Sequence, residues 1–534
     1  MLPRRAMVPA RTLVVLGLTA AASVAVAQPA PAPEPPPDDA GEPAVPPPAV
    51  DPADVEALRR KVEALEALIT TEVDRPVPEA PPAPPPPDWR DALVGFRFGS
   101  YGRVSAGTDL RGGKPAPVHV VAHGPRIVEP SYLELDFAYG LKWGDAGLVR
   151  TIVTLAYDDQ LFHDTGTFTA GPAIRNLYVI AENHGHTVWA GSRMLRGDDL
   201  YLFDVWPLDD LNTVGAGGGV QVGKAGDADR DWLDLSAHVG VNRLLDPFQY
   251  QTRQVAEPEL GATTVVQLNR QRTIASLRAA YTRLGADGPA GGELNLRVTG
   301  YGELHGLPSG TRRRADATLE ALPRDWGTTL GAELTAWRAP TDAARTRAAS
   351  LFVRWSQGLA AFDELAAPTS FDAELRTFPK ASEIVIGAGG GWDADRYHLI
   401  AAAYARRFVD ADVNVHDRDD GWEYAVDLRP AVRVHDHNLY LGVDLGYEAR
   451  FPRGLQPTTQ LAADPAIVSI APMLSFQPTG RGAFDRPELR LVYRAAHQND
   501  GALALYPVGD PRARTWTQFL GVEAEWWFNS NSYR

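Results

Sequence analysis

The sequence predicts an all-β chain: a transmembrane antiparallel β-barrel of about 18 strands, preceded by a short N-terminal coiled-coil helix. Three observations lead there. Period-2 segments recur from Phe96 to Phe528 between clusters of Gly, Asp, Asn and Pro. The polar faces of those segments carry charge, small residues and aromatics, whereas a sandwich needs an apolar core face on each sheet. The last segment alternates and closes on aromatic residues. At about 24 residues per strand and connection, a stretch of about 433 residues holds roughly 18 strands.

Composition sets the outer bounds. The 534 residues contain no cysteine, which excludes disulfides, thiolate metal sites and a cysteine nucleophile. A net charge of −15 argues against a nucleic-acid binder, which needs a basic footprint. Beyond the N-terminus no apolar run reaches the length of a membrane-spanning helix.

Residues 1–27 read as a signal peptide. Arg4, Arg5 and Arg11 give the charged start, Leu13 to Leu18 the apolar segment, and Ala25-Val26-Ala27 the cleavage site. A membrane anchor is the rival reading, but the segment is short and ends in small residues. Nineteen of the 44 prolines fall between Gln28 and Asp88, so residues 28–50 form an extended spacer. Residues 51–71 read as a helix. Asp51 caps it, Pro52 opens it, and Val55, Leu58, Val62, Leu65 and Ile69 form an a/d seam. Two heptads are too short to stand alone, so the seam is either an oligomer interface tethered by a larger assembly or the apolar face of a lone packed helix. Residues 72–94 are a second Pro-rich linker, residues 95–528 the barrel, and residues 529–534 a tail.

Within the barrel, Leu439, Leu441, Val443, Leu445 and Tyr447 point one way and Tyr440, Asp444 and two glycines the other. Leu133, Leu135, Phe137 and Tyr139 oppose Tyr132, Glu134, Asp136 and Ala138. Leu520, Val522, Ala524, Trp526 and Phe528 oppose Glu523, Glu525 and Trp527. In a barrel the apolar set meets lipid and the polar set lines the lumen. A soluble sandwich, propeller or β-solenoid is the competing architecture.

Several short stretches resemble the maltoporin family of sugar-specific outer-membrane channels. They are Tyr101-Gly-Arg103, Tyr132-Leu-Glu134, and a run from Ala173-Ile-Arg175 through Trp189-Ala-Gly191 and Arg193 to Asp199, Asp204, Asp209 and Gly215-Ala-Gly217. Arg486-Pro487 and Glu523-Ala-Glu525-Trp-Trp-Phe528 also match. Together they cover about a fifth of the chain, at both ends of the barrel; residues 220–470 offer no motif. The coil before the barrel is similar to the layout of the family's sucrose-porin branch.

The resemblance implies an 18-stranded barrel assembled as a homotrimer, with an aromatic track for sugars down each pore. Sugar rings offer apolar faces to aromatics and a hydroxyl belt to ionised groups. By resemblance, Tyr101, Tyr132, Phe484 and Trp527 match track aromatics, and Phe168 matches a loop aromatic that enters the neighbouring pore, with Phe162 as its rival. Arg103, Glu134, Arg175, Arg193, Asp199, Asp204 and Asp209 match the polar side. One arginine of the family falls on Gly197, with Arg196 beside it. The plainer readings are interfacial girdle for the aromatics and water-lining charge for the rest.

His184-Gly-His186 and His435-Asp-His437 sit beside expected turns with no third ligand at a recognisable spacing, so no metal is expected. Gly217-Gly218-Gly219 lacks the Lys and helix of a phosphate loop, and no G-x-S-x-G nucleophile occurs. The expected function is passive, selective diffusion of sugars or maltooligosaccharides, without catalysis or cofactor. The expected location is the outer membrane, with the N-terminal extension in the periplasm. A lesser reading has residues 28–88 tether the membrane to the cell wall. Two alternatives stand. One is a phosphate, anion or general diffusion pore, which wants a ladder of inward Arg and Lys if it selects anions. The other is an exported soluble β-rich enzyme or adhesin acting on polysaccharide.

Overall fold

A computed structural model describes residue 53, residues 56–64, and residues 91–530 except 145, 159–170, 196, 209–212, 224–230, 244–247, 286–293, 339–346, 362–376, 395, 412–419, 436, 455–462, 481 and 508. The chain divides into two units, Met1–Pro85 and Pro86–Arg534. In the first, residues 56–64 are helical and exposed, with i,i+4 ion pairs Arg59–Glu63 and Arg60–Glu56. Val55, Leu65 and Ile69 of the expected seam, the signal segment and both spacers up to Pro85 lie outside the described residues.

The second unit is a closed barrel. Its first strands are β1 (Gly95–Thr108), β2 (Tyr132–Trp143), β3 (Gly147–Asp158), β4 (Ala173–Asn183), β5 (His186–Arg193), β6 (Thr213–Val222) and β7 (Asp231–Asn242). A separate hairpin follows, β8 (Tyr250–Glu257) and β9 (Gly261–Asn269). The wall resumes with β10 (Arg272–Arg283) and β11 (Leu294–Leu307), and a second separate hairpin, β12 (Gly310–Arg313) and β13 (Leu319–Leu322), precedes β14 (Asp325–Arg338). The rest are β15 (Arg347–Gly358), β16 (Ser382–Asp393), β17 (Tyr397–Val409), β18 (Gly421–His435), β19 (Leu439–Pro452), β20 (Ala466–Phe476), β21 (Glu488–Gln498) and β22 (Trp516–Phe528).

Eighteen strands form one sheet. Each wall strand pairs antiparallel with the next, and β22 pairs back onto β1 with Tyr101 opposite Trp527 and Arg103 opposite Glu525. Closure removes the exposed edges that an open sheet would present. Connections are shorter at one end, and tightest where His184 and Gly185 alone join β4 to β5, both with positive φ (46° and 78°), as a two-residue hairpin turn requires. At the other end they run long, as in residues 109–131 and 194–212.

The alternation read from the sequence sets the faces. On β19, Leu441, Leu445 and Tyr447 are exposed outward, whereas Tyr440 and Asp444 are buried in the lumen. The same split holds on β2 and β22. Outward aromatics gather near the strand ends: Trp143, Trp392 and Tyr397 at the tight-turn end, Trp326, Trp422, Phe451 and Trp516 at the other. Leucines and valines fill the band between them. So large an exposed apolar surface is stable only against lipid, and paired aromatic girdles mark the two interfaces. This overturns the soluble architecture.

The lumen is not empty. Residues 109–131 and the described residues of 194–208 fold inward and build an apolar cluster against β15–β17. Val118, Val120, Leu200, Leu202 and Phe203 pack with Phe352, Val385 and Ile400. The two loops are tied where the Arg126 amide donates to the Leu202 carbonyl at 3.0 Å. Glycines in β16 make the seat. A Cβ at Gly387 or Gly389 would lie 2.6 or 2.8 Å from a methyl of Leu200. Such closeness tolerates no side chain, so the strand's glycines fix where the loop rests.

Candidate functional site

The inward loop places Tyr201 at the centre of the lumen, against β22 and β1. Three rings meet there. Tyr201 stands edge-on to Trp527 at 6.1 Å between centroids and to Phe484 at 5.7 Å. Trp527 lies opposite Tyr101 in the β1–β22 pairing, and Tyr101 is 5.9 Å from Tyr132. The run Tyr132, Tyr101, Trp527, Tyr201, Phe484 therefore follows the inner wall across β2, β1 and β22 to the loops. Tyr101 is the least accessible, only 4% exposed.

Charged groups border this run in pairs. Arg175 donates to Glu134 at 2.7 Å and to the Tyr132 hydroxyl, with its guanidinium 5.7 Å from the Tyr132 ring centre. Arg103 pairs with Glu129 at 2.7 Å. Arg126 donates to Glu129 at 3.0 Å, to the Tyr101 hydroxyl at 3.0 Å and to the Tyr201 carbonyl at 3.2 Å. It also reaches Asp204 at 3.4 Å. Glu525 accepts from Tyr201 at 2.6 Å and from Arg486 at 3.0 Å. Arg486 lies over the Trp527 ring at 4.2 Å, so a cation and an aromatic face share one patch.

The aspartates behave differently from one another. Asp204 is held in a left-handed backbone conformation (φ 55°) with its carboxylate half exposed beside Arg126. Burial pushes the Asp199 carboxyl well up, and the Asp204 charge pushes it further. Burial also opposes ionisation of Asp198. There the hydroxyl of Thr335 and the guanidinium of Arg297 outweigh it and hold the carboxyl below its ordinary range.

Of the expected residues, the structure gathers Tyr101, Arg103, Tyr132, Glu134, Arg175, Asp204, Phe484 and Trp527 around the loop. Asp199 and Arg193 instead border an open cavity of about 760 Å³ on the β3–β11 side. Phe162, Phe168, Arg196 and Asp209 lie outside the described residues. Sequence reasoning missed Arg126, Glu129 and Tyr201 entirely, because loop residues carry no period. Glu525 and Arg486 were legible only as motif members, although Glu525 sits two residues from Trp527 and so shares its face.

Several other inward arginines are also neutralised. Arg354 and Arg406 pair with Glu383 at 3.1 and 2.5 Å, Arg429 with Asp444 at 2.8 Å, and Arg490 with Glu523 at 3.2 Å.

Among solved structures, the chain is similar to the outer-membrane channel DcaP of Acinetobacter baumannii, at 11% identity over 81% of this chain and 98% of that one, with a TM-score of 0.36. It is similar to OccAB1 of the same organism, at 11% identity over 81% and 95%, with a TM-score of 0.41. It is also similar to Pseudomonas aeruginosa OpdK solved with vanillate, at 11% identity over 81% and 98%, with a TM-score of 0.37. A comparison with curated proteins finds no match. The family model described as LamB porin matches residues 96–528, from the first described strand to the last. The closed barrel, its lipid-facing belt and that match agree: this chain belongs to the LamB porin family and is an integral outer-membrane porin.

Proposed function

We propose that the protein is a sugar-selective porin that passes oligosaccharides by passive diffusion, without catalysis. The observation that carries this reading is the run of five rings from Tyr132 to Phe484, bordered by guanidinium–carboxylate pairs. Rings receive the apolar faces of a sugar, and ionised groups hydrogen-bond its hydroxyls. Each contact is weak alone, which suits a ligand that must also leave.

The pairing of most inward arginines with carboxylates counts against an anion-selective ladder, because a guanidinium already matched to a carboxylate attracts little further negative charge. A homotrimer, a cleaved signal peptide and a periplasmic coil belong to the same proposal. The exposed helical residues 56–64 are consistent with such a coil.

The test is single-channel conductance in planar bilayers with maltose-series sugars and sucrose. Saturable block by a sugar, weakened by Trp527→Ala, is the expected result. A current that no sugar blocks would make this a general pore.

A further inference from the structure

We propose that the cavity on the β3–β11 side of the lumen is a second binding site, separate from the aromatic run, that receives the carboxylate-bearing ring of an acidic sugar such as a uronate. The inference rests on the sugar-porin reading for its ligand class, but on different residues for its evidence.

The floor of this cavity is made by what is missing from β6. Gly215, Gly217 and Gly219 all face inward, and of the β6 glycines Gly218 and Gly219 line the cavity itself. Gly217 is needed: a Cβ there would lie 2.7 Å from Trp189 Nε1 and 2.7 Å from His238 Cβ. Its absence lets the Trp189 and His238 rings approach to 6.0 Å across it. Tyr178 packs edge-on against Trp189 at 6.3 Å, and the Arg193 guanidinium lies over both rings at 5.2 and 5.4 Å. One edge of the glycine floor is thus aromatic.

The other edge is cationic. Arg278 on β10 lies in one row with Ser236 on β7, Gly219 on β6 and Thr187 on β5. Three strand spacings put the backbones of β10 and β5 about 14 Å apart along that row, and Arg278 and Trp189 both line the cavity between them. Arg278 has no ion pair among the described residues, and its buried Nε has no hydrogen-bond partner. Arg193 likewise has no carboxylate partner among them. These two differ from their neighbours here, since Arg150 pairs with Glu182 at 2.9 Å and Arg297 pairs with Asp198. Two further acids line the cavity: Asp234, which accepts from Trp232 at 2.9 Å and Gln221 at 3.1 Å, and Asp199 from the inward loop.

A guanidinium left without a partner in a partly desolvated site is stabilised by an incoming carboxylate more than a paired one is. A neutral sugar would gain the glycine floor and the ring but not this term. The chemistry therefore selects an apolar ring face and an anionic group on one ligand.

The experiment compares current block of the full chain by maltotriose, trigalacturonate and acetate. Trigalacturonate is expected to block at roughly tenfold lower concentration than maltotriose, with acetate inert at the same carboxylate concentration. Arg278→Gln should remove that advantage and leave maltotriose block unchanged; Arg278→Lys should restore part of it. Gly217→Ala should also weaken trigalacturonate selectively. Resistance of the barrel band to detergent at room temperature checks that each variant folds. Equal block by the two sugars, an equal loss of both in Arg278→Gln, or block by acetate alone would overturn the site. Block by trigalacturonate but not maltotriose, lost in Arg278→Gln, would sink the neutral-sugar track and leave this site standing.

Discussion

The hydroxyl of Tyr201 donates to Glu525 at 2.6 Å, which ties the tip of the inward loop to the last strand of the barrel. The same hydroxyl accepts from Arg486 at 2.7 Å, so one oxygen joins loop, strand and turn. Two substitutions separate its roles. Tyr201→Phe keeps the ring and removes the tie; it should leave sugar block nearly intact and increase open-channel noise. Tyr201→Ala removes a ring that touches both Trp527 and Phe484. An aromatic contact contributes about 0.5–1.5 kcal/mol, so block should weaken roughly three- to tenfold in bilayer titrations. Equal effects of the two would mean that only the tie matters.

Asp199 predicts a pH dependence. Burial, then the Asp204 charge, raise its carboxyl well above the ordinary value, so it holds its proton to higher pH than a free aspartate does. The folded protein holds that proton more tightly than the unfolded chain. This contribution to stability is complete below the unfolded pKa near 3.8 and is lost as pH rises through the raised folded value. Ionisation as pH rises through that raised value should add negative charge at the loop and shift selectivity towards cations. Reversal potentials across a salt gradient measure this. Asp199→Asn should flatten that shift; an unchanged shift would assign it to another group.

Gly387 seats the loop. A Cβ there would lie 2.5 Å from the Phe352 ring and 2.6 Å from Leu200. Gly387→Val should displace Leu200 at a cost of about 1–3 kcal/mol while the barrel still closes. The expected outcome is higher conductance with weaker sugar block, and a lower temperature for loss of the detergent-resistant band. Wild-type conductance in this variant would show that the loop is held elsewhere.

The barrel was legible because alternation is a local signal that lipid enforces on every strand. Leu441 must face outward for the same reason that Asp444 must face inward. The site was only half legible. Tyr101, Tyr132 and Trp527 sit on strands, where position along the chain fixes direction. Arg126 and Tyr201 sit on loops whose fold depends on contacts more than 70 residues apart, such as Arg126 with Tyr201. No period announces those contacts. The two hairpins outside the wall, β8–β9 and β12–β13, read as strands for the same local reason that wall strands do, so residues 220–470 could not be counted from sequence alone.

In the N-terminal unit, Leu58 and Val62 are 65% and 48% exposed on a helix whose other described residues are mostly charged. They are two of the five positions of the expected seam. If the seam joins copies of the chain, Leu58→Ser with Val62→Ser should abolish cross-linking between N-terminal segments while conductance per barrel stays constant. Unchanged cross-linking would mean the helix packs on something other than its own copies.

The tail after the last strand has a role that the outward–inward pattern did not disclose. Ser530 turns into the barrel and donates to Asp136 at 2.7 Å, on a carboxylate that is fully buried. Thr154 donates to the other oxygen of Asp136 and accepts from Asn176 at 3.1 Å. Asn176 in turn accepts from the Met194 amide at 2.9 Å, at the root of the inward loop. The chain of bonds thus runs from the C-terminal residues to the loop that narrows the lumen. Ser530→Ala removes one charged hydrogen bond, worth about 1.5–3 kcal/mol. It should lower the temperature at which the barrel band loses detergent resistance and increase current fluctuations, with mean conductance little changed. Asp136→Ala, which strips partners from both Thr154 and Ser530, should do both more strongly. If Ser530→Ala destabilises the barrel but leaves the current quiet, the tail staples the wall alone, and the loop is held from its apolar seat on β16.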